Sequence, residues 1–110
     1  MLFRSPDANA QATIRQAVLD VAPGAQDPYW RAQLVSKLYS IGAVEDGIKL
    51  AEESARMFPQ DLSLWHLVAI AYEQTGRARQ AIPWREATVR MDPLNTDFKK
   101  SLAQDKVAKA

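Results

Sequence analysis

Between Asp61 and Pro93 the chain reads DLSLWHLVAIAYEQTGRARQAIPWREATVRMDP, and this stretch decides the fold. Asp61 is an N-cap residue ahead of an apolar stripe formed by Trp65, Val68, Ala69 and Tyr72 at helical spacing. Gly76 supplies the left-handed residue that ends such a helix, and a second helix over 78–91 runs until Pro93 stops it. Sliding the chain on itself by 34 residues superposes this stretch on its predecessor. Asp27 falls on Asp61, Gly42 on Gly76, Ile48 on Ile82 and Glu52 on Glu86, while Arg56, Met57 and Pro59 fall on Arg90, Met91 and Pro93. A fixed period of this length is the mark of a repeat architecture built from helical hairpins.

Working outward, the same punctuation recurs. Ser5-Pro6-Asp7 reads as a cap, a first-turn proline and an acidic first turn, followed by the stripe Ile14, Ala17, Val18 and Val21. Pro23-Gly24 ends that helix. Asp27-Pro28 starts the next, which carries Leu34, Val35, Leu38 and Ile41 to Gly42, and a third runs from Val44 to Pro59. Asn95 or Thr96 caps a sixth helix bearing Phe98, Leu102 and Val107. Pro83 lacks an N–H and disfavours the helical conformation of Ile82, so the fifth helix starts no earlier than Ala78. No segment alternates with a period of two, so no strand is expected. The expectation is an all-α chain of about six helices. Its units are an N-terminal helix over 1–26, repeats over 27–60 and 61–94, and a capping helix over 95–110.

Trp65, Ala69 and Tyr72, then Gly76, Ala81-Ile82 and Asp92-Pro93, resemble the tetratricopeptide repeat, whose 34-residue unit is a pair of antiparallel helices. The earlier unit keeps Leu34, Gly42, Gly47-Ile48, Ala51 and Pro59 but has Arg31 at the tryptophan position, and the later one has Arg85, beside Trp84, where the pattern wants an aromatic. The resemblance implies a right-handed α-solenoid in which neighbouring hairpins bury each other's apolar faces, with Trp65 largely buried where the two units meet. The phrases around Pro83-Trp84-Arg85 and Asp92-Pro93-Leu94-Asn95 also resemble repeat tails that follow the membrane part of O-antigen ligase and polymerase proteins.

Composition narrows the chemistry. The chain has 110 residues with 14 Lys+Arg against 13 Asp+Glu, so it lacks the basic footprint of a nucleic-acid binder. It has no Cys, hence no disulfide, thiolate metal site or thiol nucleophile. Its longest apolar run, Leu67–Tyr72, is far too short to span a membrane. His66 is the lone histidine and finds no second imidazole or thiolate for a metal. The carboxylate pairs Glu45-Asp46 and Glu52-Glu53 read as solvated helix faces, and the four glycines are too scattered to cradle a phosphate. No cofactor, metal or catalytic residue is expected.

The repeat resemblance places candidate partner-binding residues on the first helices, where they would line a concave groove. In one unit these are Tyr29, Ser36, Tyr39 and Ser40, beside Ala32. In the next they are Ser63, His66, Ile70 and Glu73. Two readings stand for Tyr39 and Ile70: peptide anchors, or packing against neighbouring helices. Family members that grip a C-terminal carboxylate use Lys, Asn and Arg here, but this chain has Ala32, Ser36, Ser63 and Leu67. The expected function is therefore a non-catalytic scaffold that binds a peptide or protein without a carboxylate clamp. The alternative is an accessory domain of a larger membrane protein. Residues 7–22 align with a repeat's second helix, and its first helix is missing. An open apolar face lined by Leu2, Phe3, Val18 and Leu19 would then favour self-association through the N-terminal helix.

Overall fold

A computed structural model of the chain describes residues 8–108. Among the described residues there are six α-helices, one 3-10 turn and no strand. They are α1 (Ala8–Val21), a 3-10 turn (Ala22–Gly24), α2 (Pro28–Ser40), α3 (Val44–Met57), α4 (Leu62–Gln74), α5 (Ala78–Met91) and α6 (Thr96–Val107). The Ser5-Pro6-Asp7 cap expected ahead of α1, and Leu2 and Phe3, lie outside the described residues. No described helix is long and apolar enough to cross a membrane.

The 34-residue period recurs in the backbone hydrogen bonds. Asp27, Asp61 and Asn95 each accept at a side-chain oxygen from the amide three residues on, at 2.8, 3.1 and 3.1 Å. Each thereby satisfies one of the orphan donors of a helix start. At the far ends of α2 and α4, Gly42 (φ +83°) and Gly76 (φ +76°) turn the chain through a left-handed residue. The next amides, of Ala43 and Arg77, reach back to the carbonyls of Leu38 and Tyr72 at 2.9 and 2.8 Å, the longer of the two Schellman bonds. The exits of α3 and α5 repeat as well, with Phe58 and Asp92 donating to Ser54 and Thr88 at 2.9 Å in both cases.

Each helix packs on its successor, and α2 also lies against α4. The core runs through Val18, Val35, Leu38, Ile41, Leu50 and Val68. Ala51, Ala55, Ala69 and Ala81 are fully buried, so short side chains occupy many of the closest interhelical contacts. Gly47 serves the same purpose in sharper form. The Tyr39 ring lies where a Cβ on Gly47 would sit, and the Tyr39 hydroxyl donates to the Leu67 carbonyl at 2.8 Å. Arg15 on α1 pairs with Asp46 on α3, which ties the first helix to the third.

One expectation needs correction. Val18 is buried and so does not line an open face, while Leu19 packs partly buried against the core. Trp65 is largely covered but not completely buried. Its indole N–H donates to the Pro59 carbonyl at 3.0 Å and its ring tilts against Trp84, with centroids 4.8 Å apart, because a polar, bulky indole sits best at a rim with an acceptor in reach. Leu64, one residue earlier, takes the fully buried position. Arg31, which departs from the repeat pattern, serves as an internal anchor. Only 2 % exposed, it donates to the Ala25 carbonyl at 2.9 Å and to Ser54 Oγ at 3.1 Å.

This division of labour predicts that Leu64→Ala costs about 3–5 kcal/mol of stability, the range for a fully buried leucine. Trp65→Ala should cost less, about 1–3 kcal/mol for partial burial and one aromatic pair. Urea denaturation of the two variants checks the order.

Candidate functional site

The polar centre of the molecule lies where α4, α5 and α6 meet. Arg85 of α5 is 1 % exposed. A guanidinium cannot shed its charge in a protein, so burial obliges the neighbours to pair it. Glu73 of α4 does so through both oxygens, Nη2 to Oε1 at 2.6 Å and Nε to Oε2 at 3.0 Å. Arg85 Nη1 lies 3.0 Å from His66 Nδ1 and 3.4 Å from Thr88 Oγ1, and its carbon stands 5.1 Å from the Phe98 ring centre. Phe98 belongs to α6 and also covers the His66 ring, centroids 5.2 Å apart.

Arginine only donates, so His66 Nδ1 must accept and its proton must sit on Nε2. Burial and the Arg85 charge both press the His66 pKa below its usual value, with Glu73 opposing. The imidazole is therefore neutral near pH 7, and the lone pair that a general base would use is already taken.

Asp105 of α6 completes the cluster. It is 4 % exposed, its Oδ2 has no hydrogen-bond partner within the chain, and its carboxyl faces that of Glu73. Two ionised carboxylates only accept, so they can hydrogen-bond only while one holds a proton. Burial first, then the hydrogen bond and charge of Glu73, push the Asp105 carboxyl up to about 7. Burial also pushes Glu73 upward, but the Arg85 guanidinium and the proton shared with Asp105 outweigh it and hold Glu73 below the usual range. With Asp105 protonated the cluster is neutral in sum. When Asp105 ionises, one buried negative charge is left unpaired.

The two helices that were expected to carry the groove divide its residues differently. Tyr29, Ser36, Ser40 and Ser63 are exposed, and Ser40 bonds only its own helix, at the Lys37 carbonyl. Ile70 is half-buried. Tyr39 is committed to Leu67, and burial, then the charge of Glu52 and the neighbouring Tyr72, raise its phenol above the usual range. His66 and Glu73 are joined through Arg85 rather than presented to a ligand. Arg85, Thr88, Phe98 and Asp105 had not been singled out as site residues. Arg85 carried the one signal, a charge where the repeat pattern wants an aromatic; Asp105, in a polar stretch of α6, carried none.

A second network bridges the outer side: Tyr72 donates to Glu52 Oε2 at 2.9 Å, while Arg77 stacks over the Tyr72 ring and pairs with Glu45 at 2.8 Å. Among the described residues no group of three or more His, Cys, Asp or Glu could hold a metal ion. A surface cleft of about 750 Å³ lies elsewhere, between α1 and α2. Compared with known protein families and with curated proteins, the chain matches none of them.

The acid pair sets a pH dependence. Asp105 titrates higher in the folded state than in the unfolded one, so its contribution is complete below the usual carboxylate range and is lost as the pH rises through about 7. His66 works in the opposite sense, losing stability as the pH falls through its usual range. Asp105→Asn isolates the first effect, since an amide can donate to Glu73 at every pH. Relative to this variant, the wild type should lose on the order of 2 kcal/mol between pH 5 and pH 8, read from urea midpoints.

Proposed function

We propose that the chain is a non-catalytic scaffold, a right-handed tetratricopeptide-like solenoid of antiparallel helix pairs, that binds a peptide or a partner protein along its first helices. The observation that carries this reading is the direct contact of α2 with α4, two helices one repeat apart, with exposed side chains on both. Tyr29, Ser36 and Ser40 recur at helical spacing on α2, and Ser63 and Ile70 follow on α4. Tyr29 is 69 % exposed, a rigid aromatic with a polar tip, the kind of side chain that anchors interfaces. The three serines supply hydroxyls that donate or accept as the ligand requires. Tyr39, His66 and Glu73 shape this surface from beneath through their internal bonds.

The repeated caps and left-handed glycines support the repeat reading. So do the buried hydroxyls of Ser54 and Thr88, 34 residues apart and each met by a buried arginine, Arg31 in one unit and Arg85 in the next.

Selection from a random peptide library displayed on phage tests the proposal. Enriched peptides should bind the wild type and lose roughly tenfold or more on Tyr29→Ala or Ser63→Arg, changes that remove an anchor or block the face. Circular dichroism should stay unchanged, because both residues are exposed. Peptide amides should bind as well as free acids, since Ala32, Ser36, Ser63 and Leu67 offer no cation to a carboxylate. No enrichment, or binding indifferent to both substitutions, refutes the proposal.

A further inference from the structure

The two ends of the row of helices are unlike. Shifting by the repeat period places Trp30 and Leu34 of α2 on Leu64 and Val68 of α4. The α4 pair is completely buried, whereas Trp30 is 58 % exposed and Leu34 only partly covered. The same shift places Ala17 and Val21 of α1 on Ala51 and Ala55 of α3, again fully buried, yet Ala17 is exposed and Val21 is 58 % exposed. At the other end the residues on α6 that correspond to Trp65 and Tyr72 are Lys99 and Lys106, both exposed. One end is closed with lysines and the other presents apolar side chains at core positions.

The missing neighbour can be named from the contacts. α4 packs against α2, α3 and α5, whereas α2 packs against α1, α3 and α4. Among the described residues α2 has no helix ahead of it, in the place that α2 itself takes on α4. In that place is the cleft of about 750 Å³ lined by Val21, Trp30 and Leu34. Asp20 and Asp27 flank this apolar floor, and no lysine or arginine lines it. A shallower depression along α1, about 530 Å³, shares Asp20 and is lined by Ala12, Thr13, Gln16 and Ala17, which extends the seat to roughly the length of a short helix.

We propose that this cleft is the docking seat of an amphipathic helix from a partner protein, one whose apolar face is flanked by lysine or arginine. The apolar floor asks for a helix face with residues at i, i+3, i+4 and i+7. The two carboxylates ask for cations beside it, and Trp30 adds a ring face on which a cation can rest. A second copy of this chain fits less well. Its own α1–α2 end carries the same two carboxylates and would be repelled, and its α6 has lysines but no free apolar stripe, since Phe98 packs on His66 and Arg85, Leu102 is partly buried and, of its larger apolar side chains, Val107 alone stands exposed. This surface is separate from the face carrying Tyr29 to Ser63, and the inference rests on the repeat register rather than on the scaffold proposal.

The test uses two synthetic helical peptides of about 15 residues with one shared leucine face, flanked by lysines in one and glutamates in the other. Binding is followed through the three tryptophan indole N–H resonances of the full chain. The lysine peptide should move the Trp30 indole and leave Trp65 and Trp84 in place, binding roughly tenfold or more tightly than the glutamate peptide. Asp20→Asn with Asp27→Asn should erase that preference while keeping the α2 cap, because asparagine caps as well as aspartate. Trp30→Ser, a change at an exposed position, should abolish binding without altering the circular dichroism. The proposal falls on any of three results: no movement of Trp30 up to millimolar peptide, equal binding of both peptides, or movement confined to Trp65 and Trp84. It falls equally if the Trp30 resonance shifts with protein concentration alone, which would assign the seat to a second copy.

Discussion

The Arg85 guanidinium, charged and out of reach of water, is the constraint around which the last three helices are arranged. Leaving a buried charge unpaired is strongly destabilising, so its surroundings are determined to an unusual degree. Glu73 must present both oxygens, His66 must turn Nδ1 inward and carry its proton on Nε2, and Thr88 and Phe98 must close the remaining sides. Glu73, once committed, faces Asp105, and the two acids can meet only over a shared proton. A single buried cation in α5 therefore reaches the protonation of a residue in α6. The first unit meets the same problem on a smaller scale, where Arg31 donates to the Ala25 carbonyl and Ser54 and pairs with Glu53 at 3.5 Å.

The extent of the helices was legible in the sequence because their ends are set by local chemistry. An aspartate or asparagine that caps its own helix, and a glycine that must adopt positive φ, act over three or four residues and need no tertiary context. The fifth helix begins and ends at Ala78 and Met91 as read from the chain, with Pro83 accommodated inside it. Burial was legible only to within a residue. The apolar stripe of α4 reads as starting at Trp65, whereas Leu64 takes the deepest position and the indole lies at the rim, where it finds an acceptor. Helical spacing fixes a face to within one side chain; size and hydrogen-bonding need decide which of two neighbours goes in.

The candidate site was legible in part. Tyr29, Ser36, Ser40 and Ser63 are exposed on the helices where the repeat register put them, but His66 and Glu73 turned out to belong to the buried cluster. The reason is that their partner comes from another helix. Arg85 lies 12 residues beyond Glu73 and 19 beyond His66, and no pattern within α4 announces it. Asp105 was invisible for the same reason, since a polar residue in a lysine-bearing terminal helix reads as solvated until the fold buries it. Tyr39 shows the converse: Gly47 is part of the repeat pattern, yet the ring that needs its missing side chain comes from the preceding helix.

These internal commitments bear on where recognition can occur. A ligand that used Glu73 would have to displace a bidentate guanidinium held at 2.6 and 3.0 Å, leaving Arg85 buried and unpaired, a loss of the order of 3–5 kcal/mol. Using His66 Nδ1 would remove one further bond from the same cation, and using the Tyr39 hydroxyl would break its bond to the Leu67 carbonyl and leave a half-buried phenol without that acceptor. Ser36 and Ser63 carry no such cost, because their hydroxyls are exposed, and Tyr29 exchanges only water for a partner. A ligand that follows α2 and α4 therefore gains most where the helices are least occupied with each other. Binding weighted toward Tyr29, Ser36 and Ser63 is the arrangement in which nothing already satisfied has to be broken.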